Sequence, residues 1–167
     1  MHSIKAWRAF VWVIGVAAAA MLSTIPAQAA DSGPVVFDVH IVRSGVFADC
    51  GSFAVNFVAN IDAHYEQFFN DSGQLVLERR HVQFTGTLTD ATTGATLPYE
   101  GNFTRTFDFA TGTVTLIGER RKTEVSGQGV LAIAAGRLVV DTRTGSLISE
   151  SGQTDEGYSA AICTLLG

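Results

Sequence analysis

Phe53-Ala54-Val55-Asn56-Phe57-Val58-Ala59-Asn60-Ile61-Asp62-Ala63-His64-Tyr65 decides the fold class. Phe53, Val55, Phe57, Ala59, Ile61, Ala63 and Tyr65 share one parity, whereas Asn56, Asn60, Asp62 and His64 share the other. Side chains two apart lie on the same side of an extended chain, so this alternation describes a strand with one dry and one wet face. Upstream, Val35 to Arg43 repeats it: Val35, Phe37, Val39 and Ile41 alternate with a set that contains Asp38 and His40. Downstream, the turn Asn70-Asp71-Ser72-Gly73 leads into a long strand from Gln74 to Thr89. Its apolar phase begins as Leu75 and Leu77 and becomes Val82, Phe84 and Leu88, and a one-residue change of phase is expected of a bulge near Arg79-Arg80.

Polar turns punctuate the rest of the chain. Asp90-Ala91-Thr92-Thr93-Gly94, Asp108-Phe109-Ala110-Thr111-Gly112 and Asp141-Thr142-Arg143-Thr144-Gly145 share the pattern D-x-x-T-G. Aspartate accepts from backbone N–H groups just ahead of it, and glycine takes the positive φ that closes a bulged hairpin, so three like hairpins are expected. One carboxylate per copy is too few for a calcium loop. Between the turns, 96–107, 113–123, 130–134, 137–140, 146–151 and 159–166 read as further strands, without a competing helical period. The expected fold is all-β: an antiparallel up-and-down β-barrel of about eight strands, with a two-sheet β-sandwich as the alternative.

The N-terminus reads as a secretory signal. Lys5 and Arg8 precede the uncharged apolar run from Phe10 to Leu22, and Ala27-Gln28-Ala29 has the small-x-small pattern of a signal-peptidase site. Cleavage is expected between Ala29 and Ala30, leaving 30–167 as a single β-barrel domain. The run is shorter than the roughly 20 residues of a spanning helix, so no stable membrane insertion is expected once the signal is removed. Loss of Lys5 and Arg8 leaves nine basic against 16 acidic residues, a net charge of −7. That charge repels phosphate backbones and argues against a nucleic-acid partner. The expected location is secreted or extracellular, with the periplasm or cell envelope as the alternative. Cys50 and Cys163 remain, and an even count in an exported chain reads as a disulfide, with a reactive thiol or metal ligand as the rival.

Candidate chemistry is sparse. Asp62, His64 and Glu66 lie two apart and point the same way from a strand, and His40 sits on the polar face of its own strand. A carboxylate–imidazole pair does acid–base work, and the same residues on an ordinary solvent face do nothing more than keep it wet. Arg79-Arg80-His81 and Arg120-Arg121-Lys122 are the basic clusters, read either as an anion patch or as charged edge positions. Gly127-Gln128-Gly129-Val130-Leu131-Ala132 matches a loose dinucleotide fingerprint, but Ala135-Gly136 breaks the helix that motif requires. No cofactor and no metal are expected.

From His81 to Glu156 the chain resembles small secreted actinobacterial proteins of unknown function. The resemblance rests on His81-Val82 with Gly86-Thr87-Leu88-Thr89, on Thr93-Gly94, on Gly136-Arg137-Leu138-Val139-Val140-Asp141, on Thr144-Gly145 and Gly152, and on the late cysteine. More distantly the arrangement is similar to the eight-stranded barrels of allene oxide cyclases and dirigent proteins, which hold a reactive organic molecule inside. None of their site motifs maps onto residues here, and the lipocalin G-x-W is missing. Three functions follow as expectations: binding of a small apolar or amphipathic ligand, surface interaction without a ligand cavity, or barrel isomerase or cyclase chemistry at His64 with Asp62 or Glu66. The oligomeric state is not legible at this level.

Overall fold

The computed structural model describes residues 33–167. The expected signal peptide and its cleavage point at Ala29–Ala30 lie outside the described residues. Seven strands follow in chain order: β1 (Val35–Asp49), β2 (Ala54–Phe69), β3 (Leu75–Asp90), β4 (Thr96–Asp108), β5 (Thr113–Val125), β6 (Gly129–Asp141) and β7 (Leu147–Gln153). They form one antiparallel meander in sequence order, as the alternation and the turns predict. Among the described residues β1 pairs with β2 alone and β7 with β6 alone, so the ladder does not close on itself.

The chain ends differently from expectation. Residues 159–166, read as a last strand, belong to a helix, α1 (Asp155–Leu166). Thr154 caps it by accepting the Gly157 N–H at 3.0 Å, and Asp155 and Glu156 favour its positive end. Tyr158, Ile162 and Leu166 recur at four-residue spacing and are the buried side of the helix. A short apolar run such as Ala160–Leu166 does not separate strand from helix by itself; the cap and that spacing do.

α1 lies on the inner face of the sheet. There Tyr158, Ile162 and Leu166 join Val55, Leu88, Ala132 and Ala134 in the core, flanked by Phe47, Phe53, Phe57, Leu97 and Tyr99. Tyr158 donates to or accepts from Thr123 Oγ1 at 2.7 Å, and Thr123 is itself within 2.9 Å of the Pro98 carbonyl. The Cys50–Cys163 disulfide ties the β1–β2 turn to this helix, with Cα atoms 5.5 Å apart. Phe47 of β1 meets Tyr99 of β4, Tyr158 of α1 and the Arg121 guanidinium of β5, so the sheet curls around the helix.

Two local devices accompany the curl. Gly118, Gly136 and Gly152 pair in one row across β5, β6 and β7 with φ of 122°, 125° and 102°. A Cβ at these positions would lie 2.8, 2.1 and 2.2 Å from a carbonyl oxygen of the neighbouring strand, so only glycine fits. A bulge at Arg120 lets Glu119 and Arg121 pair with the adjacent residues Ala135 and Ala134. The bulge expected near Arg79-Arg80 is absent: Glu66 faces Arg79 and Tyr65 faces Arg80 in unbroken register. The slip between β2 and β3 lies at Val76 instead. The apolar phase fades at 78–80 because Glu78 and Arg80 themselves occupy inner-face positions.

Candidate functional site

The outer face carries the residues singled out from the sequence. Register places His40 opposite Asp62 and Asp38 opposite His64. Each pair is hydrogen-bonded through Nδ1 to Oδ1, at 2.7 Å for His40–Asp62 and 2.8 Å for His64–Asp38. An ionised carboxylate only accepts, so each Nδ1 donates to its aspartate. His81 on β3 lies opposite His64, and Gln83 lies opposite Asp62. These groups line an open depression of about 370 Å³. A second depression of about 280 Å³ continues from Asp62 and Gln83 to Glu100, Asn102 and Glu119. Glu66 does not join them; it pairs with Arg79 at 3.2 Å.

Of the residues singled out from the sequence, the ladder places His40, Asp62 and His64 on one outer-face patch, and it adds Asp38 and His81, which were not singled out with them. Both lie on polar positions at the right parity, and pairing register was the missing information. The dyads are largely exposed, with 64% and 71% of the His40 and Asp62 side chains accessible. A charge pair in water gains little from its neighbour compared with one in a dry site. Among the described residues no group of three or more histidines, cysteines and acids is arranged to hold a metal ion.

Strand alternation splits the first basic cluster, and the bulge at Arg120 splits the second, leaving Arg120 and Arg121 inward and Lys122 outward. Arg79 turns outward to Glu66 and Arg80 inward to the buried Glu78. Lys122 turns outward among Glu100, Glu119 and Glu124, and its hydrogen bonds to Glu100 and Glu124 raise its pKa. Arg120 turns inward, where it reaches Glu150 at 3.1 Å, Asp155 at 3.3 Å and the Gln153 carbonyl at 3.2 Å. No joint anion patch results. The D-x-x-T-G turns form as expected. Asp90, Asp108 and Asp141 each accept two backbone N–H groups, and those bonds hold their carboxyls below the usual range.

The inner face beyond α1 holds a feature that the sequence reading passed over. Phe37, Tyr65, Arg80, Arg105, Leu116, Leu138 and Glu150 form one row across all seven strands. The Arg80 guanidinium stands 4.7 Å from the Tyr65 ring and 4.5 Å from the Phe107 ring, and Arg105 stands 4.4 Å from Phe107. Glu78 takes hydrogen bonds from Arg80 and from Gln67 and so answers one positive charge. Arg105 has no such answer: its Nε is buried without an acceptor, and no ion pair reaches it among the described residues. Burial, and next the Arg80 charge, pull its pKa down. Ile61, Val82, Phe103 and Leu116 around this row are only half-buried. The signal in the sequence was Arg80 and Arg105 sitting at the parity of Val82, Phe84 and Phe103.

No helix among the described residues is long and apolar enough to cross a membrane. No family model, curated protein or solved structure matches the chain.

Proposed function

We propose that the protein is an exported binding protein that captures an amphipathic anion on the inner face of its sheet, beyond α1. The observation that carries this reading is Arg105, a half-buried cation whose Nε has no partner among the described residues, beside half-buried apolar side chains. An unpaired charge in such surroundings costs stability unless an anion completes it. A carboxylate or sulfate head would hydrogen-bond Arg105, and its hydrocarbon would lie along Phe103, Val82 and Leu116. Export is supported by the Lys5–Ala29 signal pattern and by the Cys50–Cys163 disulfide.

The test is calorimetric titration of the exported, oxidised protein with dodecanoate and with dodecyltrimethylammonium. Saturable binding of the carboxylate, weakened about tenfold or more in Arg105→Met, is expected, since a hydrogen bond to a charged group contributes ~1.5–3 kcal/mol. Absent saturation, or equal binding by the variant or the cation, overturns the reading.

A second reading, surface interaction without a ligand cavity, is favoured by the two mapped depressions, which are open and lie on the outer face. Acid–base catalysis on the His40–Asp62 and His64–Asp38 dyads is the weakest of the three readings, because their exposure forgoes the low-dielectric gain that enzymes use.

A further inference from the structure

We propose that two copies of the chain pair through β1, antiparallel about a two-fold axis at Val39, into one continuous sheet. The pairing does not depend on ligand capture. β1 is a 15-residue edge whose outer side is unpaired among the described residues. Natural edges of that length are guarded by lysine, proline, bulges or shortness. The opposite edge, β7, is guarded in this way: it has seven residues and a register slip after its first pair. From Val35 to Val46, β1 has neither lysine nor proline, its one inner-face charge is Arg43 near the end, and its ladder to β2 is unbroken. Val36, Val42 and Val46 are 50%, 63% and 67% exposed along it.

Charge and face together select the register. Inner residues must continue to meet inner residues, so the two-fold axis passes through a residue and not between two. Centred on Asp38, it would set two aspartates against each other; centred on His40, it would set Asp38 against Val42. Centred on Val39, it sets Asp38 against His40 of the second copy and His40 against its Asp38. It also sets Val36 against Val42 and Phe37 against Ile41, twice each. That repeats the alternation already present between β1 and β2, where Asp38 meets His64 and His40 meets Asp62. Opposite charges and apolar pairs directly across an antiparallel ladder are the stabilising combinations. Acid and imidazole would then alternate in one row from Asp62 through His40 to Asp38 and His64 of the second copy.

Sedimentation velocity of the exported, oxidised protein is expected to show a dimer, and a monomer at every concentration up to a few hundred micromolar overturns the proposal. Val42→Lys places a charge opposite Val36 at a position that is exposed in the single chain. It is expected to give a monomer with an unchanged circular dichroism spectrum and intact disulfide, and a persisting dimer overturns the interface. For the register, a nitroxide label on Ser44→Cys sits ten residues from its own partner position, Pro34. At ~3.4 Å per residue the two labels are expected about 34 Å apart by pulsed EPR. Pairing centred on Ile41 would bring them to about 20 Å, and that distance refutes the Val39 axis.

Discussion

Arg105 and Arg120 project from neighbouring strands onto the same face of one sheet, and each keeps one guanidinium nitrogen buried without an acceptor among the described residues, Nε in the first and Nη1 in the second. Their surroundings differ. Arg120 binds Glu150 of β7, Asp155 of α1 and the Gln153 carbonyl that joins them. It therefore fastens the edge strand and the start of the helix to the middle of the sheet. Arg105 has another arginine opposite it, an aromatic ring beneath it and no carboxylate in ion-pair reach among the described residues. A buried charge answered by several elements holds structure together; one left unanswered costs stability and points to something outside the chain. The end of the inner face under α1 is thus built to stay shut, and the Arg105 end to be completed.

That contrast breaks first at the covalent tie. Replacing Cys50 and Cys163 by serine opens a loop with a sequence separation of 113 residues. The expected loss is up to ~4.7 kcal/mol in urea denaturation, with α1 released before the sheet. Arg120→Met comes next, at about 3 kcal/mol, because Glu150 and Asp155 lose their shared cation. Hydrogen exchange in β7 and the first turn of α1 is expected to accelerate while β2 and β3 keep their protection. Uniform acceleration would show that Arg120 supports the whole sheet and not this junction.

What was legible in the sequence follows the same division. Strand parity and the three D-x-x-T-G turns predict the meander because both are local: alternation needs only neighbours, and each aspartate bonds N–H groups two and three residues ahead. The helix was illegible to a search for alternation, since Ala160-Ala161-Ile162 satisfies either period. Charged inner positions were illegible for a different reason. Glu78 and Arg80 look like a lost register until β4 supplies Arg105 and Phe107 across from them. The outer dyads lay between these extremes, with residue types and parity visible but partners decided by a ladder that no single strand encodes.

Alkaline titration sharpens the comparison with a smaller effect. Burial is the main cause that pushes the Tyr158 phenol up to about 12, partly opposed by its hydrogen bond with Thr123. A phenol whose folded pKa is raised stabilises the fold below its unfolded pKa, and that contribution is lost as pH rises. Stability is therefore expected to fall between pH about 10 and about 12, more steeply in the wild type than in Tyr158→Phe. Equal slopes would assign the alkaline sensitivity to groups other than Tyr158, such as Tyr99, whose phenol burial also pushes up.

The smallest expected change is the most discriminating. Arg105→Met removes a guanidinium that has no ion pair among the described residues and sits across from Arg80, and it puts a flexible apolar side chain against Phe107. Loss of repulsion and of an unsatisfied Nε offsets the lost cation–π contact, so denaturation is expected to shift by no more than about 0.5 kcal/mol in either direction. The same residue type, truncated in the same way at position 120, costs several times more. Should Arg105→Met instead destabilise as strongly as Arg120→Met, its guanidinium would be holding the β3–β4 sheet together and would not be free to receive an anion. A near-neutral stability change accompanied by loss of dodecanoate binding separates the two arginines into a fastening and a receptor.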